Sequence, residues 1–463
     1  MTMRCLQIAF WACCAVAVAH AAPFKDGDVV VFLGDSITHG GRYHEFVTDF
    51  YRTRYPDAKI RFINSGVGGD TAHGAQRRVP DDVTPYNPTH VALHFGMNDI
   101  NRGAYTATPD ARQLQAREGA MSGWARSFDA LVAKVKAAVP NAALMYMTTT
   151  LYDDTAVVTN MPKGATGWAT VNQVGCNGGL AQMAGHVLNK ARADKVPGID
   201  LYSPLNTFLK RHQKADPHFM VTRWDRVHPE ALGHSVLAWS FLKAQGVDPV
   251  VSDVAVDAAQ GTVAKSGNAT VTDVAKTAKG VSFAVLAKAL PLPVAPEALP
   301  YATEFDVERT LNRETLAVAG LAAGSYTLKI DGEMVGTWTA SELAKGVSLG
   351  FNDKTPQYRQ AQEVFARQAD VSARERALRN CHYTRWFYQP QTNVDDIPAF
   401  QAWYDKNVKD KNMIFAKFMP QYVEYWPKHE QVRAELWRDQ EAVRALARPR
   451  RHVYVCEAKE DCK

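Results

Sequence analysis

The chain has 463 residues, 46% hydrophobic and 22% charged, close to the globular average, which excludes a disordered polypeptide and a multi-span membrane protein. At roughly 100–200 residues per domain, this length predicts about two to four domains. The 53 basic against 48 acidic residues leave a formal charge of +5, too thin an excess to predict nucleic-acid binding.

Met1 to Arg4 is a short basic segment, Leu6 to Ala19 is apolar, and Ala19-His20-Ala21 has the small-x-small pattern of a leader-cleavage site. A signal peptide over residues 1–21 is expected, with export to the periplasm or beyond. No stable membrane insertion should remain after cleavage, because the apolar run is shorter than the roughly 20 residues a span needs. Loss of the leader removes Cys5, Cys13 and Cys14 and leaves Cys176, Cys381, Cys456 and Cys462. An even number in an exported chain predicts disulfides, Cys456 with Cys462 and Cys176 with Cys381.

Residues 28–246 alternate short apolar or β-branched runs with helical patterns. Val29 to Leu33, Ile60 to Ile63, Val91 to Phe95, Ala143 to Met147 and Ile199 to Leu201 read as strands. Tyr43, Phe46, Val47, Phe50 and Tyr51 recur at helical spacing, as do Trp124, Phe128, Leu131, Val132 and Val135, and a further helix is predicted over Gly179 to Lys195. Strands separated by helices imply right-handed crossovers and a mainly parallel sheet covered on both faces. The predicted fold class is α/β, a three-layer α/β/α sandwich.

Residues 250–350 change texture. Short strand-like runs (Val251 to Val256, Ala269 to Val274, Val281 to Leu286, Thr315 to Val318, Ser325 to Ile330, Gly336 to Thr339) follow without intervening helices, Asp331-Gly332 signals a hairpin, and Pro291 to Pro300 reads as a linker or long loop. A small antiparallel β domain is predicted. Residues 355–463 form a C-terminal region that is helical in pattern and rich in aromatics, which at that spacing are expected to be core.

The chemistry concentrates at the predicted strand ends. In Gly34-Asp35-Ser36-Ile37-Thr38 the serine stands at a strand-to-helix junction, where developing negative charge is favoured. Serine needs a base and a group that orients the base, and Asp225-Arg226-Val227-His228 supplies both at a spacing that lets the carboxylate fold back onto the imidazole. Asn64-Ser65-Gly66-Val67-Gly68-Gly69-Asp70-Thr71 and Gly96-Met97-Asn98-Asp99 supply a closely approaching backbone N–H and a carboxamide for an oxyanion. These four blocks, in this order, resemble the SGNH or GDSL hydrolase family over roughly residues 28–246. The resemblance implies Ser36 as nucleophile, Gly69 N–H and the Asn98 amide as oxyanion donors with Ser36 N–H, His228 as base and Asp225 as its orienter. The missing second glycine of a G-x-S-x-G elbow excludes the α/β-hydrolase fold.

Around these residues, His39, Arg42, Asn101, Arg102, Asp153 and Trp224 are candidate substrate contacts, with His94 and Asn177 close by, whereas Asp35, Asn64 and Asp99 are expected to fix loops. His228, Glu230 and His234 lack metal-site spacing, so neither metal nor cofactor is expected. The partner is an ester substrate, small or polysaccharide. Export and polar loops point to an O-acetylated carbohydrate. A lipolytic esterase or lysophospholipase and a non-catalytic glycan-binding protein on the same scaffold are the alternatives.

Overall fold

The computed structural model describes residues 21–409 and 418–459. The expected leader, its cleavage site up to His20, and Cys462 with its expected bond to Cys456 lie outside these residues.

The first unit is built on five parallel strands, β1 (Val29–Gly34), β2 (Arg61–Gly66), β3 (His90–His94), β4 (Ala143–Met147) and β5 (Gly198–Ile199), in the order β2-β1-β3-β4-β5. All six residues of β1 are buried, as a parallel strand covered on both faces requires. The helices are α1 (Ser36–His39), α2 (Arg42–Arg54), α3 (Ala72–Asp82), α4 (Ala111–Ala138), α5 (Cys176–Asp194), α6 (Tyr202–Gln213) and α7 (Ala231–Ala244). In α4 the buried positions are Trp124, Phe128, Leu131, Val132 and Val135, the set the helical spacing singles out. The three-layer α/β/α architecture is as expected. The sheet order reverses between β1 and β3, which opens a crevice at the carboxyl ends of the strands.

The second unit packs two sheets face to face. One has the order β13-β10-β6-β7, from β6 (Val250–Asp257), β7 (Thr262–Gly267), β10 (Arg313–Ala319) and β13 (Val347–Ser348). The other has the order β12-β11-β14-β9-β8, from β8 (Ala269–Thr277), β9 (Gly280–Ala287), β11 (Ser325–Ile330), β12 (Glu333–Thr339) and β14 (Arg451–Ala458). Asp331 and Gly332 make the β11–β12 hairpin, both with positive φ (50° and 85°), as a tight primed turn demands. Two short helices, α8 (Val307–Leu311) and α9 (Ala340–Lys345), complete the unit. The unit is antiparallel as expected, except that β10 runs parallel to β6. The proline-rich stretch explains this. It is no free linker: Leu292, Val294, Ala295 and Ala298 are buried against the first unit's core, so the chain returns to Pro249, whose carbonyl accepts from Arg313 N–H, before β10 begins.

The C-terminal region is helical over α10 (Pro356–Tyr388), α11 (Ile397–Asn407), Met419–Tyr425 and His429–Leu446. It then re-enters the β unit as β14, between β11 and β9, so the expected helical region ends in a strand. Tyr383, Tyr388, Phe400, Tyr404 and Tyr422 form a core of their own with Cys381. The expected Cys176–Cys381 bridge is absent. Cys176 sits in the core beneath the parallel sheet and Cys381 in the aromatic core of α10, both as free thiols, and burial pushes each up to about 12. Among the described residues no helix is long and apolar enough to cross a membrane.

Candidate active site

The site lies at the carboxyl ends of β1, β2 and β3. β1 ends at Gly34, and Asp35 caps α1, its Oδ1 accepting Ile37 N–H at 2.9 Å; burial pushes the Asp35 carboxyl up to about 6. This cap puts Ser36 on the first residue of α1, where the N–H has no intrahelical acceptor. The turn after β2 packs tightly against it. A Cβ on Gly66 would lie 2.1 Å from His39 N, so only glycine lets the two backbones approach. Gly69 has φ +76°, a left-handed conformation that costs glycine little. Neither Ser36 N–H nor Gly69 N–H donates to a protein acceptor among the described residues.

The loop after β2 is braced from beneath. Arg78, almost wholly buried, donates Nε to Asp70 Oδ2 at 2.7 Å, Nη1 to Ser65 O and Asp82 Oδ2, and Nη2 to Gly34 O. Arg379 of α10 adds a bidentate pair to Asp82, both bonds 2.7 Å, and donates Nε to Gly66 O at 2.6 Å. Burial opposes the Asp82 charge, but the two guanidiniums outweigh it and hold the carboxyl below its usual range. After β3, Asn98 donates Nδ2 to Asp70 O at 2.9 Å and accepts from Arg102 Nη1 at 3.3 Å. Asp99 accepts Ala72 N–H, and Asn64 accepts Gly66 N–H while donating to His39 O, so Asp35, Asn64 and Asp99 all make the loop-fixing bonds expected of them.

The loop before α7 closes on itself, with Arg223 N–H donating to His228 O at 2.8 Å. Asp225 Oδ1 accepts the N–H groups of Val227 and His228 at 3.0 Å each, and Oδ2 faces His228 Nδ1 at 2.7 Å. Burial works against the Asp225 charge, yet these donors outweigh it and hold the carboxyl below its ordinary value. An ionised carboxylate accepts only, so Nδ1 carries the proton and Nε2 is the free acceptor, 2.9 Å from Ser36 Oγ. A hydroxyl, an imidazole and a carboxylate in series can transfer a proton from the serine as it attacks.

Residues 32–236 match the GDSL-like Lipase/Acylhydrolase family. This part of the chain is a GDSL hydrolase. As such it is a carboxylic ester hydrolase. An acetylxylan esterase from Geobacillus stearothermophilus is 26% identical over 242 residues, covering 49% of this chain and 97% of that protein. Across almost the whole chain the structure resembles a gut microbial diltiazem-metabolizing enzyme, at 28% identity and a TM-score of 0.86, covering 96% of this chain and 100% of that one. A structure of the Geobacillus acetylxylan esterase matches 48% of this chain and 96% of its own at 24% identity, with a TM-score of 0.38.

The hydrolase site opens into a cleft of about 600 Å³. Of the candidate substrate contacts, His39, Arg42 and Arg102 line it alongside Ser36, Gly69, Asn98 and His228. Asn101, Asp153 and Trp224 do not. Asn101 is drawn into the turn before Arg102 with φ 55°, and Asp153 is buried as a staple for Thr155, Ala156 and Gln213. Trp224 stands beside the Asp225 loop, outside the cleft lining. His94 and Asn177 are likewise internal, His94 against Thr38 and Asn177 against Tyr152 and Asn206.

A whole wall of the cleft comes from the C-terminal region, through Arg376, Asn380 and Tyr383 of α10 with Phe418 and Gln421. His39 joins this wall to the hydrolase. Its Nδ1 lies 3.2 Å from Gly68 N and its Nε2 2.8 Å from Asn380 Oδ1, and Asn380 Nδ2 donates to Gln421 Oε1 at 2.7 Å. Gly68 N–H can only donate, so Nδ1 accepts and the proton sits on Nε2. Burial, reinforced by the Arg379 charge, lowers His39 to about 3, which keeps the ring neutral.

Proposed function

We propose that this protein is an exported carbohydrate O-acetyl esterase acting through Ser36, His228 and Asp225. The observation that carries the reading is the unbroken chain from Ser36 Oγ through His228 to Asp225 at 2.9 and 2.7 Å, at the floor of an open cleft. Ser36 attacks the ester carbonyl as His228 Nε2 takes its proton. The oxyanion is received by Ser36 N–H, Gly69 N–H and the Asn98 carboxamide, residues that line the cleft together with His228. His228 then protonates the leaving alcohol, and a water activated by the same ring hydrolyses the acyl-enzyme.

Three considerations favour an acetylated sugar. The cleft mixes flat aromatic faces (Trp168, Tyr383, Phe418) with hydrogen-bonding side chains (Asn380, Gln421), a lining that suits a hydroxyl-rich ring better than a fatty acyl chain. The curated relative is an acetylxylan esterase. The N-terminal leader pattern would deliver the enzyme to where polysaccharides are met.

Hydrolysis of p-nitrophenyl esters from acetyl to palmitoyl tests the reading, for the wild type beside Ser36→Ala, with acetate release from acetylated oligosaccharides measured in parallel. Serine-dependent activity that falls steeply beyond acetyl is expected. Activity rising with chain length would assign the enzyme to lipids, and activity unchanged in Ser36→Ala would remove the site assignment. A mass spectrum of the secreted protein beginning at Ala22 is the expected signature of export.

A further inference from the structure

The cleft above Ser36 is lined by four guanidinium groups, from Arg42, Arg102, Arg223 and Arg376, and its lining contains no Asp or Glu. Its other titratable walls bring no negative charge. His39 is neutral, and burial together with the nearby Arg42 charge lowers His234 well below the usual imidazole range.

Two of the four arginines are answered from outside the cleft. Arg376 pairs with Glu45, and Arg223 lies 3.3 Å from Glu230 in a pair more than half exposed on both sides, a geometry that holds little energy in water. The other two form no ion pair among the described residues, and the carboxylates that act on them, Asp35 and Asp225 on Arg102 and Glu45 on Arg42, do so through space. Arg102 donates to the Met97 carbonyl and the Asn98 amide oxygen, both neutral, and stacks 4.6 Å from the Trp168 ring. Arg42 stacks on the Phe46 ring at 5.8 Å, and Glu45, which acts on it only through space, is the carboxylate that Arg376 holds. A neutral glycan needs hydroxyl partners and aromatic faces, not guanidinium groups free of an ion pair at the cleft wall. A guanidinium fork offers planar, bidentate recognition of a carboxylate.

Resting on the esterase reading above, we propose that the alcohol portion of the substrate carries a carboxylate, as in an acylated uronic acid, and that Arg42 is its principal anchor. Arg42 and Arg223 both act electrostatically on His234, which lines the cleft beside His228. This places positive charge on the side where His228 releases the alcohol.

A matched pair of acetyl esters tests this on the full chain: 4-acetoxybenzoate, anionic, and 4-acetoxybenzamide, neutral, each kcat/KM divided by the ester's hydroxide-catalysed rate. The anionic ester should be preferred by about tenfold or more at low salt, the scale of one charge-assisted hydrogen bond. The preference should fall several-fold between about 20 mM and about 500 mM NaCl, as screening requires, and it should fall in Arg42→Gln as well. An O-acetylated glucuronoside should likewise outrun the matching O-acetylated xyloside. A ratio near or below one in the wild type overturns the proposal, as does a preference that neither salt nor Arg42→Gln changes. The salt arm is read on the wild type, so it stands even if Arg42→Gln misfolds. Failure of the esterase reading looks different, because then neither ester is hydrolysed in a Ser36-dependent way.

Discussion

Replacing Asn380 by leucine should slow the reaction from more than three hundred residues away in sequence, by releasing His39. The hydrogen-bond chain runs Gln421, Asn380, His39, Gly68, and Gly68 adjoins Gly69, the proposed oxyanion donor. His39 also follows Ser36 by one helical turn, so its ring ties the nucleophile's helix to the oxyanion loop. Leucine fills the amide's volume but leaves the buried Nε2–H without an acceptor, at a cost of about 1–3 kcal/mol. The ring can relieve this only by moving its proton to Nδ1, which sets an N–H against Gly68 N–H. If that energy is expressed on the Gly68–Gly69 peptide in the transition state, about 1–3 kcal/mol is roughly a 5- to 150-fold fall in kcat. Steady-state hydrolysis of p-nitrophenyl acetate should show the loss in kcat, with KM within about threefold, since an interaction confined to the transition state leaves KM little changed. Asn380→Asp supplies the control. It restores an acceptor but adds a charge that raises His39 from its present value of about 3. Where His39 becomes protonated, Nδ1 carries an N–H and repels Gly68. Asn380→Asp should therefore approach wild-type kcat at alkaline pH and fall away more steeply than wild type on the acid side. A wild-type kcat in Asn380→Leu, with unchanged circular dichroism, would refute the coupling, as would a pH profile of Asn380→Asp that tracks the wild type.

Three further outcomes are expected. Asn98→Ala, which removes a carboxamide donor from the oxyanion site, should lower kcat by about 10²–10³, well beyond the modest fall in melting temperature expected from losing its bonds to Asp70 O and Arg102; a loss under tenfold in the esterase assay would remove Asn98 from that role. Glu314, wholly buried at the start of β10, is pushed up to about 7 chiefly by burial. A carboxyl raised in the folded state contributes stability that is present below its unfolded value and lost as pH rises through about 7, so Glu314→Gln should melt near wild type at pH ~5 and above it at pH ~8.5; thermal scans showing no pH-dependent difference would contradict the buried, partly unpaired carboxyl. Cys176 and Cys381 should resist a thiol reagent in the native state and both react after denaturation without a reductant, because each is a buried free thiol; a disulfide-linked peptide pair containing the two in a non-reduced digest would overturn that assignment.

What the amino-acid sequence determined by itself is local. The run Val29 to Leu33, the apolar spacing of α4 and the Asp331-Gly332 turn each form from neighbours a few residues apart, and each appears where its pattern put it. The Ser36, Gly69, Asn98 and Asp225–His228 blocks were legible for the same reason. Each is a strand-end turn or a three-residue loop whose geometry follows from glycine, capping and side-chain reach. Asn101, Asp153 and Trp224 stand near these blocks in the chain, but sequence proximity does not say which way a loop side chain turns, and only Arg42, His39 and Arg102 reach the cleft. β7 escaped notice because its exposed residues carry no apolar alternation, and β14 because a strand inserted between β9 and β11 is defined by partners far away in sequence. The second wall of the active site was decided by tertiary structure alone. Asn380 meets His39 across 341 residues and Arg379 meets Asp82 across 297, and an aromatic helix reads the same in sequence whether it buries its rings in its own core or offers some of them to a cleft. A buried guanidinium held by Asp82 and the Gly66 carbonyl fixes which happens here, because leaving that charge unpaired away from water would cost more than any other packing of α10 could return.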